Sequence, residues 1–587
     1  MTKKQQKLEL VWIGKDKKPK LEPRILLEDK DYAYHANKKI SDQDIFENRL
    51  IFGDNLLALK CLEEEFTEKI KCIYIDPPYN TGNALDYYDD GLEHSIWLSL
   101  MRDRLEILKK LLSPDGIMAI QIDDNEYARL YLLLVELFGQ RNLKTISVKM
   151  AEPTGVKMSQ IIKTGSIPKL KEYIILAGKN GVRNLNIEKI PKGKWDSEYK
   201  TFVDNVSKEE ISILKEIIEN ENRTSEDIKT ADEITSKFKL IPVGDMYSKL
   251  GLKSNQDKEN WLFENAWRIV RTCSTTESAK KLADDKRETI NGTAFTIVTP
   301  QNKMYVMIKD YNIKNKQPRI KLLFADDYLT VHPGDFWSDI KTTGLGNEGG
   351  VDFPKSKKPE ALIKRIIGMC TNEGDWVLDS FAGSGTTGAV AHKMRRKWIM
   401  VELGEHCFTH IIPRMKRVID GEDNGGITKA VNWNGGGGFR FYRVAPSLLE
   451  KDKYGNWIIS KNYNSEMLAE AVCKLEGFNY DPDKNVYWKH GQSTENDFIY
   501  VTTQFVNQQL AADIADQMKE DETLLICCKA FNVNQEDFSN ITFKKIPHSV
   551  LKKCEFGKDD YSLNVQNLPM MEKEPEQMEL FDKGDVE

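Results

Sequence analysis

The sequence predicts an α/β fold: a Rossmann-like sheet with helices on its faces, interrupted by a long insert and followed by a smaller α+β segment. Three observations lead there. Short apolar runs alternate with helical stretches over residues 50–178 and again over 359–401, and that alternation means a parallel sheet covered by helices. Between them lies a polar, Lys- and Glu-rich stretch that lacks it. Two motifs, Asp76-Pro77-Pro78-Tyr79 and Gly383-Ser384-Gly385-Thr386-Thr387-Gly388, follow apolar runs, at the strand ends where such sheets bind ligands.

Each element follows from its local pattern. Residues 1–49 are charged and weakly periodic and read as an N-terminal arm. Strands are expected at 49–52, 70–75, 116–122, 144–148 and 172–176, within a first α/β half over 50–178. The clearest helix is 95–112, where Leu98, Met101, Leu105, Leu108 and Leu112 recur at helical spacing. Ser113-Pro114-Asp115-Gly116 is expected to end it in a turn. The insert, 179–330, has the size of an ordinary domain. A second α/β half over 331–430 carries helices at 361–369 and 388–393 and strands at 376–378 and 398–401. The glycine run 435–438 reads as a boundary. The smaller α+β domain it marks, 431–569, has strand-like stretches at 497–501 and 523–527. The acidic tail 570–587 is expected to be disordered.

The chain has 587 residues, more than one hydrophobic core supports. It has no apolar run of membrane-spanning length and no signal-peptide core, so no membrane is expected. The nine cysteines show no paired CxxC spacing. That argues against a disulfide scaffold, gives no zinc pattern, and fits a reducing cytoplasm. A net charge of -6 argues mildly against nucleic acid, but 85 basic residues allow one local basic cleft.

The chemistry lies in the two motifs. Two prolines directly after Asp76 make a stiff turn rich in acceptors. The Asp76 carboxylate and the Pro77 carbonyl suit a group with two N–H bonds, such as an amine, and Tyr79 offers a face for stacking an aromatic base. In the second motif Gly383, Gly385 and Gly388 fit G-x-G-x-x-G, and Glu402 ends the next strand near the spacing at which an acid holds ribose hydroxyls. A nucleoside-containing cofactor follows. No Walker lysine accompanies the glycines. The pair of sites separates a methyltransferase from an NAD-dependent oxidoreductase, because hydride transfer has no use for a stiff amine-accepting turn.

Asp-Pro-Pro-Tyr with Phe381-Ala382-Gly383-Ser384-Gly385-Thr386-Thr387 resembles the amino-group DNA methyltransferases. The order, catalytic motif first and cofactor motif after a long insert, is similar to the circularly permuted β class. Within it the chain looks most like the modification (Mod) subunits of type III restriction–modification systems. Gly53-Asp54-Asn55-Leu56, residues 354–359 with Lys358-Pro359, residues 435–441, and Lys544-Lys545-Ile546-Pro547 add to the likeness. The resemblance implies S-adenosylmethionine as cofactor and methylation of N6 of a flipped-out adenine in double-stranded DNA. Asp76, Pro77, Pro78 and Tyr79 would be catalytic. Asp54, with Tyr79, would bind the target base; capping the following helix is the other reading of Asp54. Asp379, Phe381, Gly383, Gly385, Thr386, Glu402 and Lys358 would bind the cofactor. The insert would be the target recognition domain. N4 of cytosine, or a solitary adenine enzyme, remain alternatives, and a non-catalytic DNA-binding module is a third class. The likeness further implies a homodimer joined to a restriction (Res) subunit. In the tail, Gln577-Met578-Glu579-Leu580-Phe581 resembles the peptide that docks on the bacterial sliding clamp.

Overall fold

The apolar runs assemble, in a computed structural model, into one long twisted sheet. The structure describes residues 9–80, 93–152, 165–342, 344–351, 353, 357–548, 553–554, 556–559 and 561. The sheet's strands are β1 (Leu26–Glu28), β2 (Tyr34–His35), β3 (Asn48–Phe52), β4 (Ile70–Ile75), β5 (Leu112–Ile122), β6 (Leu143–Lys149), β7 (Lys171–Gly178), β8 (Phe336–Trp337), β9 (Trp376–Asp379), β10 (Lys397–Glu402) and β11 (Gly438–Val444). Their spatial order is β1-β11-β3-β10-β9-β4-β5-β7-β6-β8, with β2 also on β11.

Period-2 alternation gives the sheet two apolar faces. Ile73, Ile75, Met118 and Ile120 pack under α1 (Asn55–Phe66), α2 (His94–Leu111) and α3 (Tyr127–Phe138). Cys72, Tyr74, Ile117, Ala119 and Val377 pack under α4 (Glu360–Cys370), α5 (Thr386–Lys393) and α6 (Ile412–Ile419). The core of α2 is the expected stripe, Leu98, Met101, Leu105 and Leu108.

Four expectations need correction. The sheet is not purely parallel, because β7 runs antiparallel to both β5 and β6; an apolar run specifies burial, not direction. The 113–116 tetrapeptide makes no separate turn. The strand begins at Leu112, and the pairing jumps from Ile70↔Leu112 to Cys72↔Ile117, so the tetrapeptide is accommodated as a bulge. The N-terminal stretch is not merely an arm, since β1 and β2 add to the sheet through β11. The glycine run is not followed by a new domain. It leads into β11, which pairs parallel with β3 from Phe439↔Asn48 to Arg443↔Phe52.

Glu188–Pro333 forms a compact unit of its own. That unit holds a six-stranded antiparallel sheet, ordered Lys239–Pro242, Thr201–Asp204, Ile269–Ser274, Arg319–Phe324, Met304–Ile308, Ala294–Val298. Past β11, Asp497–Asn507, Thr523–Asn532 and Ile541–Lys545 pair in parallel within a second, five-stranded sheet. Among the described residues no helix is long and apolar enough to cross a membrane.

Candidate active site

Strand β4 delivers the first motif. Alternation puts Tyr74 on the α4 face of the sheet, and Asp76, two residues on, continues that face. The turn after it is held from three sides. The Pro78 carbonyl accepts Trp97 Nε1 at 2.8 Å. Asn80, at φ +57°, donates Nδ2 to Glu126 Oε1 at 2.7 Å, and the same oxygen bonds His94 Nδ1 at 2.5 Å. Thr81 and Gly82, which continue the motif, lie outside the described residues.

A polar cluster closes around Asp76. The Tyr79 hydroxyl lies 2.6 Å from Asp76 Oδ1 and 2.8 Å from Glu172 Oε2, and can donate to either. Lys358, just before α4, donates Nζ to the Tyr79 hydroxyl oxygen at 2.7 Å. It also stands 3.2 Å from Asp76 Oδ2 and 3.4 Å from Glu172 Oε2. Gln121 Nε2 donates to Glu172 Oε2 at 2.5 Å, while Gln121 Oε1 accepts the Tyr74 hydroxyl at 2.6 Å. Burial raises the Asp76 carboxyl above the usual carboxylate range; the Glu172 charge adds to the rise and Lys358 only partly opposes it. Burial would raise Glu172 too, but Lys358 and the Gln121 and Tyr79 hydrogen bonds hold it below that range. The cluster borders a cleft of about 300 Å³ whose walls include Met150, Glu172, Thr342, Phe353 and Lys358.

The second motif sits on the adjacent strand. Strand β9 pairs parallel with β4, Leu378 opposite Ile73, so Asp379 and Asp76 emerge from the same end of neighbouring strands. Asp379 is buried; its carboxylate accepts Phe381 N at 2.9 Å and the Thr387 hydroxyl at 2.5 Å. Burial pushes its pKa up to about 7. Glu402, at the end of β10, accepts Gly383 N at 2.8 Å, Leu403 N at 2.9 Å and Gly404 N at 3.0 Å. Burial would raise this carboxyl, but His406 and those amides hold it low. The glycines differ in what they face. A Cβ on Gly383 would meet only the Phe381 carbonyl, 3.9 Å away; one on Gly385 would lie 3.0 Å from Ile411 Cγ2. Gly388 abuts the Met400 side chain, the close helix–strand packing that the third glycine of such turns permits.

The model of the "DNA methylase" family matches residues 70–412, from the start of β4 to the start of α6, and so includes both motifs. The chain belongs to the DNA methylase family. Among its relatives, the probable type III restriction-modification enzyme HindVI Mod subunit of Haemophilus influenzae is 37% identical over 464 residues, 76% of this chain and 60% of that protein. The type III restriction-modification enzyme EcoPI Mod subunit of Escherichia phage P1 is 29% identical over 424 residues, 65% of this chain and 60% of that protein. The chain thus spans 60% of the length of these two relatives. The DNA adenine methyltransferase YhdJ of Escherichia coli is 38% identical over 120 residues, 20% of this chain and 37% of that protein.

Three residues stand elsewhere than their sequence context suggested. Lys358 joins the Asp76 cluster and not the glycine turn. Asp54 lies at the end of β3, three strand spacings from β4, or roughly 14 Å. Its carboxylate caps α1 through Leu56 N and Leu57 N and accepts Tyr561 N at 3.0 Å. Helix capping, the alternative reading, is therefore the role its oxygens fill. Asn55 beside it, not Asp54, reaches the glycine turn, donating to the Ser380 carbonyl at 2.8 Å. Thr386 accepts Arg414 Nη1 at 2.8 Å inside the core. Sequence reasoning passed over Glu172. Its signal was an acid near the start of the otherwise apolar run 172–176, where a buried charge demands a partner.

Proposed function

We propose that this chain transfers a methyl group from S-adenosylmethionine to N6 of a flipped-out adenine in duplex DNA, as the modification subunit of a type III restriction–modification system. One observation carries the reading. The amine-accepting turn after β4 and the glycine turn after β9 stand side by side at the same end of paired strands, about 5 Å apart in strand spacing. A methyl donor in one turn and an amine in the other would be neighbours.

The residues around the glycine turn fit the donor. The space before Gly383 admits close approach of a ligand to the backbone, and Asp379 offers a carboxylate to a cationic amino-acid group. Glu402, already bonded to the turn's amides, keeps acceptor capacity for ribose hydroxyls. When bound, S-adenosylmethionine supplies an electrophilic methyl group. The chain's own work is on the amine. Asp76 and the Pro77 carbonyl accept its two hydrogens and draw its lone pair out of the ring. Among the described residues no hydrogen bond reaches the Pro77 carbonyl. Tyr79 stacks on the extruded base. Asp76, raised by burial, takes the proton that methylation releases.

Adenine is favoured by Tyr79, which completes Asp-Pro-Pro-Tyr, and by the likeness to an adenine methyltransferase. The likeness to Mod subunits of type III restriction-modification enzymes supports a Res partner, and a homodimer is proposed with it. Glu188–Pro333 would read the target sequence, and the cytoplasm would be the place of action. The clamp peptide falls on residues 577–581, outside the described residues. The test is long-read sequencing of DNA methylated by the purified protein, with Asp76→Ala as control. Adenine modified at one motif, lost in the variant while cofactor binding stays, is expected. Methyl groups on cytosine alone would refute the adenine assignment.

A further inference from the structure

The cluster around Asp76 poses a problem for methyl transfer. Asp76 must accept hydrogens from a neutral aromatic amine, yet Tyr79 and the Lys358 ammonium both lie within hydrogen-bonding reach of it. Charge-assisted hydrogen bonds are about twice as strong as neutral ones, so an amine alone would not displace Lys358. Something must draw the ammonium away.

Resting on the methyl-transfer reading above, we propose that Glu172 is a positioning residue for that reaction: it takes Lys358 and the Tyr79 hydroxyl from Asp76, leaving the catalytic carboxylate open to the target amine. Glu172 is the only other carboxylate paired with Lys358 among the described residues, and its distance exceeds that of Asp76 by only 0.2 Å (3.4 against 3.2 Å). The Tyr79 hydroxyl needs only to turn its hydrogen, since both carboxylates already lie within 2.8 Å of it. Strand register holds the receiver in place. Gln121 on β5 faces Ile174 on β7, so Glu172 is its diagonal neighbour on the same face. The Tyr74 hydroxyl fixes the Gln121 amide with its nitrogen towards Glu172. Without the Glu172 charge, Asp76 would be the one anion paired with Lys358 among the described residues.

Among the described residues, the charged and titratable groups facing Asp76 are Lys358 from the segment before α4, Glu172 from β7, Tyr74 and Tyr79 from its own segment, and Asp379 from β9. The proposal therefore predicts opposite pH effects, because Glu172 raises Asp76 and Lys358 lowers it. The experiment measures methyl transfer against pH for wild type, E172Q, K358M and the double variant. E172Q should lose about tenfold or more in kcat/KM for DNA near neutral pH, with S-adenosylmethionine affinity unchanged. Its acid limb should move to lower pH, and that of K358M to higher pH. Adding K358M to E172Q should recover about threefold or more of the loss, a non-additivity that mere structural damage would not give. E172D, which keeps the charge should E172Q melt early, should retain the wild-type limb. E172Q activity within twofold of wild type, an unmoved limb, or a double variant no better than E172Q would each overturn the proposal. A wild-type protein that methylates no DNA would instead refute the methyl-transfer reading, and the same assay shows it before any variant is compared.

Discussion

Alanine at Gly383 and alanine at Gly385 should damage this protein in different ways, although the two positions belong to one turn. Both have left-handed backbone, φ +53° and +75°, so an L side chain strains each by about 1–2 kcal/mol. At Gly385 the new Cβ would also stand 3.0 Å from Ile411 Cγ2. Carbon atoms pack best at about 3.5–4.0 Å, and forcing a methyl into a filled core costs about 1–3 kcal/mol more. Gly385→Ala should therefore lose about 2–5 kcal/mol of stability against about 1–2 for Gly383→Ala. Ligand binding should rank the other way. The Gly383 Cβ meets nothing closer than 3.9 Å, so it projects into the space assigned to the donor. Its affinity for S-adenosylmethionine should fall about tenfold or more, the effect of about 1.4 kcal/mol. Urea denaturation gives the first quantity, and calorimetric titration of the folded protein the second. Wild-type affinity in Gly383→Ala, or equal stability losses in the two variants, would refute this assignment of the turn's two sides.

Two further outcomes follow from buried charge. The Asp379 pKa is raised from 3.8 to about 7, so the stability it contributes is present below its ordinary pKa and is lost as pH rises through about 7. Below that pKa the group holds a proton, and a cationic ligand beside it should expel it; titrations in buffers of different ionisation enthalpy should detect the release, and its persistence in Asp379→Asn would contradict the assignment. Lys393, fully buried, pairs with Glu360 at 2.8 Å and Asp423 at 2.6 Å, while Arg414 holds Glu360 at 2.8 Å and the Thr386 hydroxyl at 2.8 Å. Lys393→Met leaves a buried carboxylate uncompensated and should cost about 3–5 kcal/mol; a change below about 1 kcal/mol in urea denaturation would mean water reaches the cluster.

Much of this molecule was legible from its local patterns. Strands β4, β9 and β10 and helices α2 and α4 stand within a residue or two of their expected ends, because alternation and helical spacing are properties of a few consecutive residues. The motifs were legible for the same reason: a stiff proline turn and a left-handed glycine turn are short-range necessities. What local pattern leaves open is direction and partnership. An apolar run does not say that β7 runs against its neighbours, nor that β11 joins β3, where Asn48 Nδ2 donates to the Gly438 carbonyl 390 residues further along the chain.

The site divides along the same line. Sequence by itself determined which residue types are suited to an amine and a nucleoside, because Asp76-Pro77-Pro78-Tyr79 and the three glycines offer that chemistry within single turns. Only the tertiary structure decided their company. It turned Asp54 into a helix cap, gave the Thr386 hydroxyl to Arg414, and set Glu172 and Lys358 against Tyr79 and Asp76. Those partners come from separate strands and loops, and strand order and register, set by packing across the whole sheet, determine which side chains share a face.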